Sequence, residues 1–302
     1  MHNKVVVIGC GNVGMSYVYA LLNQRSKVNE VALIDLDTKR VEGEVMDLNH
    51  CLAFAPDKMN IHIGTYEDCR DAKIVVIAAG ATQKVGETRM DLIYKNSKIF
   101  KDIIGKVVEV GFHGIFLVAT NPLDVMTYLT YKYSGFSTHK VIGTGTSLDT
   151  ARLRYLIGEK LGIGPKNIHA YVMGEHGDSE FVPWTNATVG LQNINKFLSD
   201  DEMVQISEEV KNAGYEIIER KGATYYGIGM CLVSITNAIL GDLNSIITVS
   251  TYDKDNDVYV GLPTILDKNG AKGRVFVDLT DEEEGKLQHS IDVIKEAIKK
   301  VL

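Results

Sequence analysis

The apolar positions of this chain fall into two regimes. Through the first half, short unbroken apolar runs at 5–8, 31–34, 74–79, 115–119 and 141–142 alternate with stretches patterned at helical spacing. Runs this short suit strands buried on both faces, and the alternation predicts a parallel α/β sheet. Helices are predicted over 15–22 and 92–104; in the second, Leu92, Ile99, Phe100, Ile103 and Ile104 mark one apolar face. Beyond about Gly143 the pattern changes. Residues 147–161 read as a helix with Leu153, Leu156, Ile157 and Leu161 apolar, closed by Gly162. Ser199-Asp200-Asp201-Glu202 has the form of a capping box opening a long helix to Lys221, where Gly222 breaks it. A further helical pattern covers 224–240. Strand-like runs at 246–252 and 258–266, split by a charged turn, predict an antiparallel pair. Thr280-Asp281-Glu282-Glu283 opens a last helix, to about 301.

Composition narrows the class of protein. The chain has 302 residues, enough for two ordinary domains. No apolar stretch approaches the roughly 18 residues that span a bilayer. The first strand turns at glycine too soon for a signal peptide. Four scattered cysteines, Cys10, Cys51, Cys69 and Cys231, lack metal-ligand spacing and read as reduced thiols of a cytoplasmic protein, with no metal expected. A net charge of -7 argues against nucleic acid and leaves an anionic small molecule open.

Gly9-Cys10-Gly11-Asn12-Val13-Gly14 follows the first strand and opens the first helix. Gly9, Gly11 and Gly14 permit a tight turn and close approach to a pyrophosphate, whose charge the helix N-terminus favours. The bare motif is weak; its place after the first strand strengthens it. Asp35 ends the second run about 20 residues on, where a carboxylate accepts from ribose hydroxyls and repels a 2′-phosphate. That favours NAD over NADP, although Arg40 lies nearby. The expected architecture is therefore a Rossmann-type doubly wound parallel sheet over residues 1–143, followed by a mixed α+β substrate domain over 144–302.

The candidate chemistry centres on Gly174-Glu175-His176-Gly177-Asp178, where glycines leave an imidazole accessible. Histidine takes and releases a proton near neutral pH. Asp149 and Arg152 share one face of the 147–161 helix. Arg152 can clamp a carboxylate, and Asp149 can orient His176 and raise its pKa. A surface ion pair between the two is the competing reading. Arg89 closes a glycine-bearing polar segment from Gly80 that suits a mobile lid; a solvated loop is the plainer account. Asn121 ends a strand at the carboxyl edge of the sheet, placed to hold substrate and nicotinamide.

These stretches together, with Gly143–Arg152 and Lys221-Gly222-Ala223-Thr224, resemble the bacterial-type L-lactate dehydrogenases of the lactate/malate dehydrogenase family over nearly the full length. The resemblance implies an NAD-dependent oxidoreductase interconverting pyruvate and L-lactate. It makes His176 the acid–base, Asp149 its partner, Arg152 the carboxylate clamp, Arg89 the lid arginine and Asn121 a substrate contact. Thr224 falls at the pocket threonine, and Ile228 behind the nicotinamide. Val13, Asp35, Arg40, Tyr66, Gly80, Ala81, Ala119, Asn121 and Thr144 fall at cofactor contacts.

Gln83 is expected to choose the substrate. Malate dehydrogenases carry an arginine there for the second carboxylate; a neutral Gln83 leaves that carboxylate without a counter-charge and favours pyruvate. Arg154, two residues past Arg152, faces away from it on the same helix. Arg154 and His169 match the residues that line a fructose 1,6-bisphosphate site across a subunit interface in bacterial lactate dehydrogenases, so an activated homotetramer is expected. A surface arginine and an ordinary histidine are the alternative. A malate dehydrogenase, a roomier 2-hydroxy acid dehydrogenase and a catalytically silent nucleotide sensor are the competing functions; Gln83 opposes the first, and the intact His176, Asp149, Arg152 and Arg89 set opposes the last.

Overall fold

Alternate residues of the first strand enter different cores, which fixes the layering of the molecule. The computed structural model describes residues 2–81 and 89–301. In β1 (Lys4–Ile8), Val6 and Ile8 pack into one apolar cluster while Val5 and Val7 pack into another on the opposite face. Such a strand is covered on both sides.

The first half runs β1, α1 (Asn12–Asn23), β2 (Glu30–Ile34), α2 (Thr38–Cys51), β3 (Asn60–Ile63), β4 (Ile74–Ile77), α3 (Arg89–Glu109), β5 (Ile115–Val118), α4 (Leu123–Ser134) and β6 (Val141–Gly143). The second runs α5 (Ser147–Leu161), β7 (Ile168–His169), β8 (Thr188–Val189), β9 (Gln192–Asn193), α6 (Asp200–Lys221), α7 (Tyr226–Leu240), β10 (Ser245–Asp253), β11 (Val258–Asp267), β12 (Gly270–Arg274) and α8 (Asp281–Lys299). Among the described residues, nine strands form one sheet in the order β12-β11-β10-β6-β5-β4-β1-β2-β3. The six strands from β6 to β3 are parallel; five of them are the predicted apolar runs, and β3 adds a sixth. The strand order reverses between β1 and β4, which opens a crevice at their carboxyl ends. The antiparallel pair β10 and β11 joins the sheet through Ser250 beside Gly143.

One face carries α3, α4 and α8 through Phe100, Met126 and Ile291, and the other carries α1, α2 and α7 through Leu21, Leu48 and Leu232. A third cluster joins α5, α6 and the β7–β8 ribbon through Ile157, Ile206 and Val189. The Ser199 capping box is formed, with Ser199 Oγ accepting from the Glu202 N–H, and α6 ends at Lys221. In the stretch before Gly174 only Ile168–His169 pairs as β7, and Met173 meets Phe181 in an isolated bridge. The pattern gave no sign of β3, an edge strand with only Ile61 buried, or of α2, with only Val41 and Leu48 buried.

Candidate active site

The glycine turn leaves a clear space in front of α1. Gly9 has φ 105, and a Cβ there would collide with the Ala79 backbone; a Cβ on Gly14 would run into the Gly9 carbonyl. These two glycines serve close packing. Gly11 differs, because a Cβ there meets nothing within 4 Å. Gly11 is also the N-cap of α1, with no side-chain cap and no acidic residue in the first turn. The free N–H groups and the positive end of the helix suit a pyrophosphate in that space. Asp35 Oδ2 accepts from the Cys10 N–H at 2.7 Å, and its Oδ1 from the Asp37 N–H at 3.1 Å, so the carboxylate is drawn to the turn. Arg40 is exposed on α2 and pairs with Glu44 at 3.4 Å.

The other expected cofactor positions follow successive strand ends. Tyr66 sits half-buried in a short turn after β3; Gly80 and Ala81 follow β4, Ala119 and Asn121 follow β5, and Thr144 follows β6. All lie along the carboxyl edge of the parallel strands, with Val13 in the first turn of α1. Asn96 links two of them: its Oδ1 accepts from the Ala81 N–H at 2.8 Å and its Nδ2 donates to the Asn121 carbonyl at 2.9 Å.

The chemical centre is built around one carboxylate. Asp149, in the first turn of α5, has a side chain only 2% exposed. Its Oδ1 accepts from Arg152 Nη1 at 2.8 Å and its Oδ2 from His176 Nδ1 at 2.7 Å. The intrahelical ion pair is therefore present, but buried and joined to the histidine. Among the described residues, no hydrogen bond engages His176 Nε2. The His176 backbone N–H donates to Asp124 Oδ2 at 2.8 Å, and Asp124 Oδ1 accepts from Ser250 Oγ at 2.5 Å. Gly174 exchanges backbone hydrogen bonds with Gly261 of β11 at 3.0 and 2.9 Å. The histidine loop is thus fixed to α4, β10 and β11.

Charge follows from these contacts. Burial disfavours the imidazolium, but the Asp149 carboxylate outweighs it and pushes His176 up to about 9. Burial likewise opposes ionised Asp149, yet His176 and Arg152 hold it below the usual carboxylate range. Burial pushes Asp124 up to about 6, against its hydrogen bonds from Ser250 and the His176 N–H.

Thr224 lies half-buried before α7, and Ile228 half-buried within its first turn. Asn121 is exposed. Arg154 Nε donates at 3.0 Å to the carbonyl of Ala170, the residue after the exposed His169, and its guanidinium lies 4.8 Å from the Tyr171 ring centre. Gln83 and the side chain of Arg89 lie outside the described residues. Asp124, Ser250 and the buried Glu180 escaped the sequence reading. The signal for Glu180 was an acid set directly before the apolar Phe181-Val182.

Residues 3–143 match the NAD-binding domain of lactate/malate dehydrogenases, and residues 146–302 match the α/β C-terminal domain of the same family. An L-lactate dehydrogenase 1 of Bacillus cereus is 49% identical, covering 99% of this chain and 98% of its own. A lactate dehydrogenase from a Medee basin deep-sea metagenome superposes with TM-score 0.96 at 48% identity, covering 100% of this chain and 99% of its own. The minor L-lactate dehydrogenase of Enterococcus mundtii matches at TM-score 0.97 in its ligand-bound form, at 40% identity, and at 0.91 in its unbound form, at 39% identity. These cover 100% of this chain, and 99% and 98% of their own.

Proposed function

The chain belongs to the lactate/malate dehydrogenase family, and from that premise we propose how its residues divide the work of an NAD-dependent L-lactate dehydrogenase. The enzyme reduces pyruvate to L-lactate and runs the reaction in reverse. The observation that carries this reading is the Asp149 carboxylate shared between His176 and Arg152. Residues 1–143 hold the dinucleotide and 144–302 the substrate. The uncapped start of α1 and the space at Gly11 fit the pyrophosphate, with Gly9, Gly14, Val13, Asp35, Arg40, Tyr66, Gly80, Ala81, Ala119, Asn121, Thr144 and Ile228 around the cofactor.

Arg152 pairs with the substrate carboxylate and fixes its orientation. When bound, the nicotinamide cofactor would supply a hydride to C2. His176, charged at neutral pH, donates its Nε2 proton to the carbonyl oxygen, while Asp149 holds the ring by Nδ1 and stabilises its charge. Arg89 polarises the carbonyl, Asn121 contacts the substrate and Thr224 lines the pocket. Gln83 offers no charge to a second carboxylate. The test is kcat/KM for pyruvate and oxaloacetate side by side with NADH. A large preference for pyruvate is expected, and preference for oxaloacetate would overturn the assignment of Gln83.

Fructose 1,6-bisphosphate activates the enzyme as a cytoplasmic homotetramer, with Arg154 and His169 as its cationic contacts. The support is their closeness: Arg154 is anchored at Ala170, next to His169. Pyruvate saturation unchanged by the bisphosphate at low enzyme concentration would refute this. No helix among the described residues is long and apolar enough to cross a membrane.

A further inference from the structure

Four residues past His176 the chain buries a second carboxyl. Glu180 is 4% exposed. One of its oxygens, an Asp149 oxygen and a His176 ring nitrogen all lie within 4.8 Å of one another. Two carboxylates this close and this buried do not both ionise. Asp149 holds both cations, so it keeps the negative charge.

The two cations, Arg152 and protonated His176, lie at 2.8 and 2.7 Å from Asp149, and among the described residues none forms an ion pair with Glu180. Burial, and next the charge of Asp149, hold the Glu180 carboxyl well above the usual carboxylate range. Among the described residues, the charged and titratable groups that act on it most are Asp149 and Arg152 from α5 and His176 from its own loop.

We propose that Glu180 stands protonated in the acid–base site and donates its carboxyl hydrogen to Asp149, as a positioning residue for the Asp149–His176 pair. The hydrogen bond limits how Asp149 can turn, and so fixes the ring it orients. The neutral acid gives this support without adding a charge that would compete for Arg152. The inference rests on the roles assigned above to His176 and Asp149.

The first test needs no turnover. An infrared difference spectrum between the wild-type protein and E180Q at pH 7 is expected to show loss of a protonated-carboxyl C=O band. Loss of carboxylate bands instead would overturn the proposal. The second test is the pH profile of pyruvate reduction. E180Q keeps a neutral donor, so the alkaline limb is expected to stay within about 0.3 unit of wild type. A downward move of about one unit or more would mean that an anion had been removed, which refutes the neutral acid. E180A is expected to lower kcat/KM about tenfold, with E180Q recovering most of it; equal losses in both would refute the donor role. A lost protonated-carboxyl band in a protein inert toward every 2-oxo acid would sustain the neutral Glu180 and remove the functional reading beneath it.

Discussion

Replacing Asp149 with Asn tests the central electrostatic claim. The carboxylate lies 2.7 Å from His176 Nδ1 and lifts the imidazole from 6.5 to about 9 despite burial. At roughly 1.36 kcal/mol per pKa unit, that is about 3 kcal/mol favouring the imidazolium. The amide removes the charge but not the burial, so His176 should fall to about 6.5 or below. At pH 7 the charged to neutral ratio would drop from about 100:1 to about 1:3 or lower. With His176 as the proposed proton donor, pyruvate reduction needs the charged ring, and its kcat/KM at pH 7 should fall at least about fourfold from protonation alone. Misorientation of the ring adds to that loss. The assay is the pH profile of kcat/KM in both directions. The alkaline limb for pyruvate should move from near 9 down by about two units or more, while lactate oxidation, which needs the neutral ring, loses less at pH 7. An alkaline limb left within about half a unit of its wild-type position would refute the claim that Asp149 sets the proton affinity.

Three further outcomes follow from the same geometry. Arg152→Lys keeps the charge but loses the planar fork, so kcat/KM for pyruvate should drop by about 100-fold or more with the protein still folded; a loss under about threefold would argue against a bidentate clamp. Gly11→Ala places a methyl in open space, so the melting temperature should stay within about 2 °C while NADH binding, read by fluorescence titration, weakens about tenfold or more. Unchanged NADH affinity would move the pyrophosphate elsewhere. Folding raises the His176 pKa, so the stability it contributes is complete below about pH 6.5 and fades as pH rises through about 9. The melting-temperature gap between wild type and His176→Gln should therefore narrow on going from pH 6 to pH 10, and a widening gap would reverse the sign.

Much of this was legible because it is local. The capping box at Ser199 and the unbroken runs of β1 and β4 depend on neighbouring residues, and periodicity records them. Asp149 and Arg152 were placed together by helical spacing alone. What escaped depends on distant parts of the chain meeting. Asp124 serves His176 only because Ser250 arrives from β10 to take its other oxygen. Glu180 faces Asp149 because the loop after His176 folds back through the Met173–Phe181 bridge, and no spacing rule encodes that return. α4 was missed for a different reason: most of its residues are buried, so it shows no polar face against which to read a period.

The joint between the halves bears on how the molecule is made. β6 is covered on its outer side by β10, where Ser250 lies beside Gly143. Gly229 of α7 packs so closely on the backbone of Ser16 and Tyr17 that a Cβ there would stand 2.9 Å from it. The first half of the chain therefore leaves the ribosome with a bare strand edge and an uncovered helix face. Both stay open until residues 226–253 have been synthesised, about a hundred residues later. β6 thus gains its outer neighbour, and α1 its cover, only from segments of the C-terminal domain.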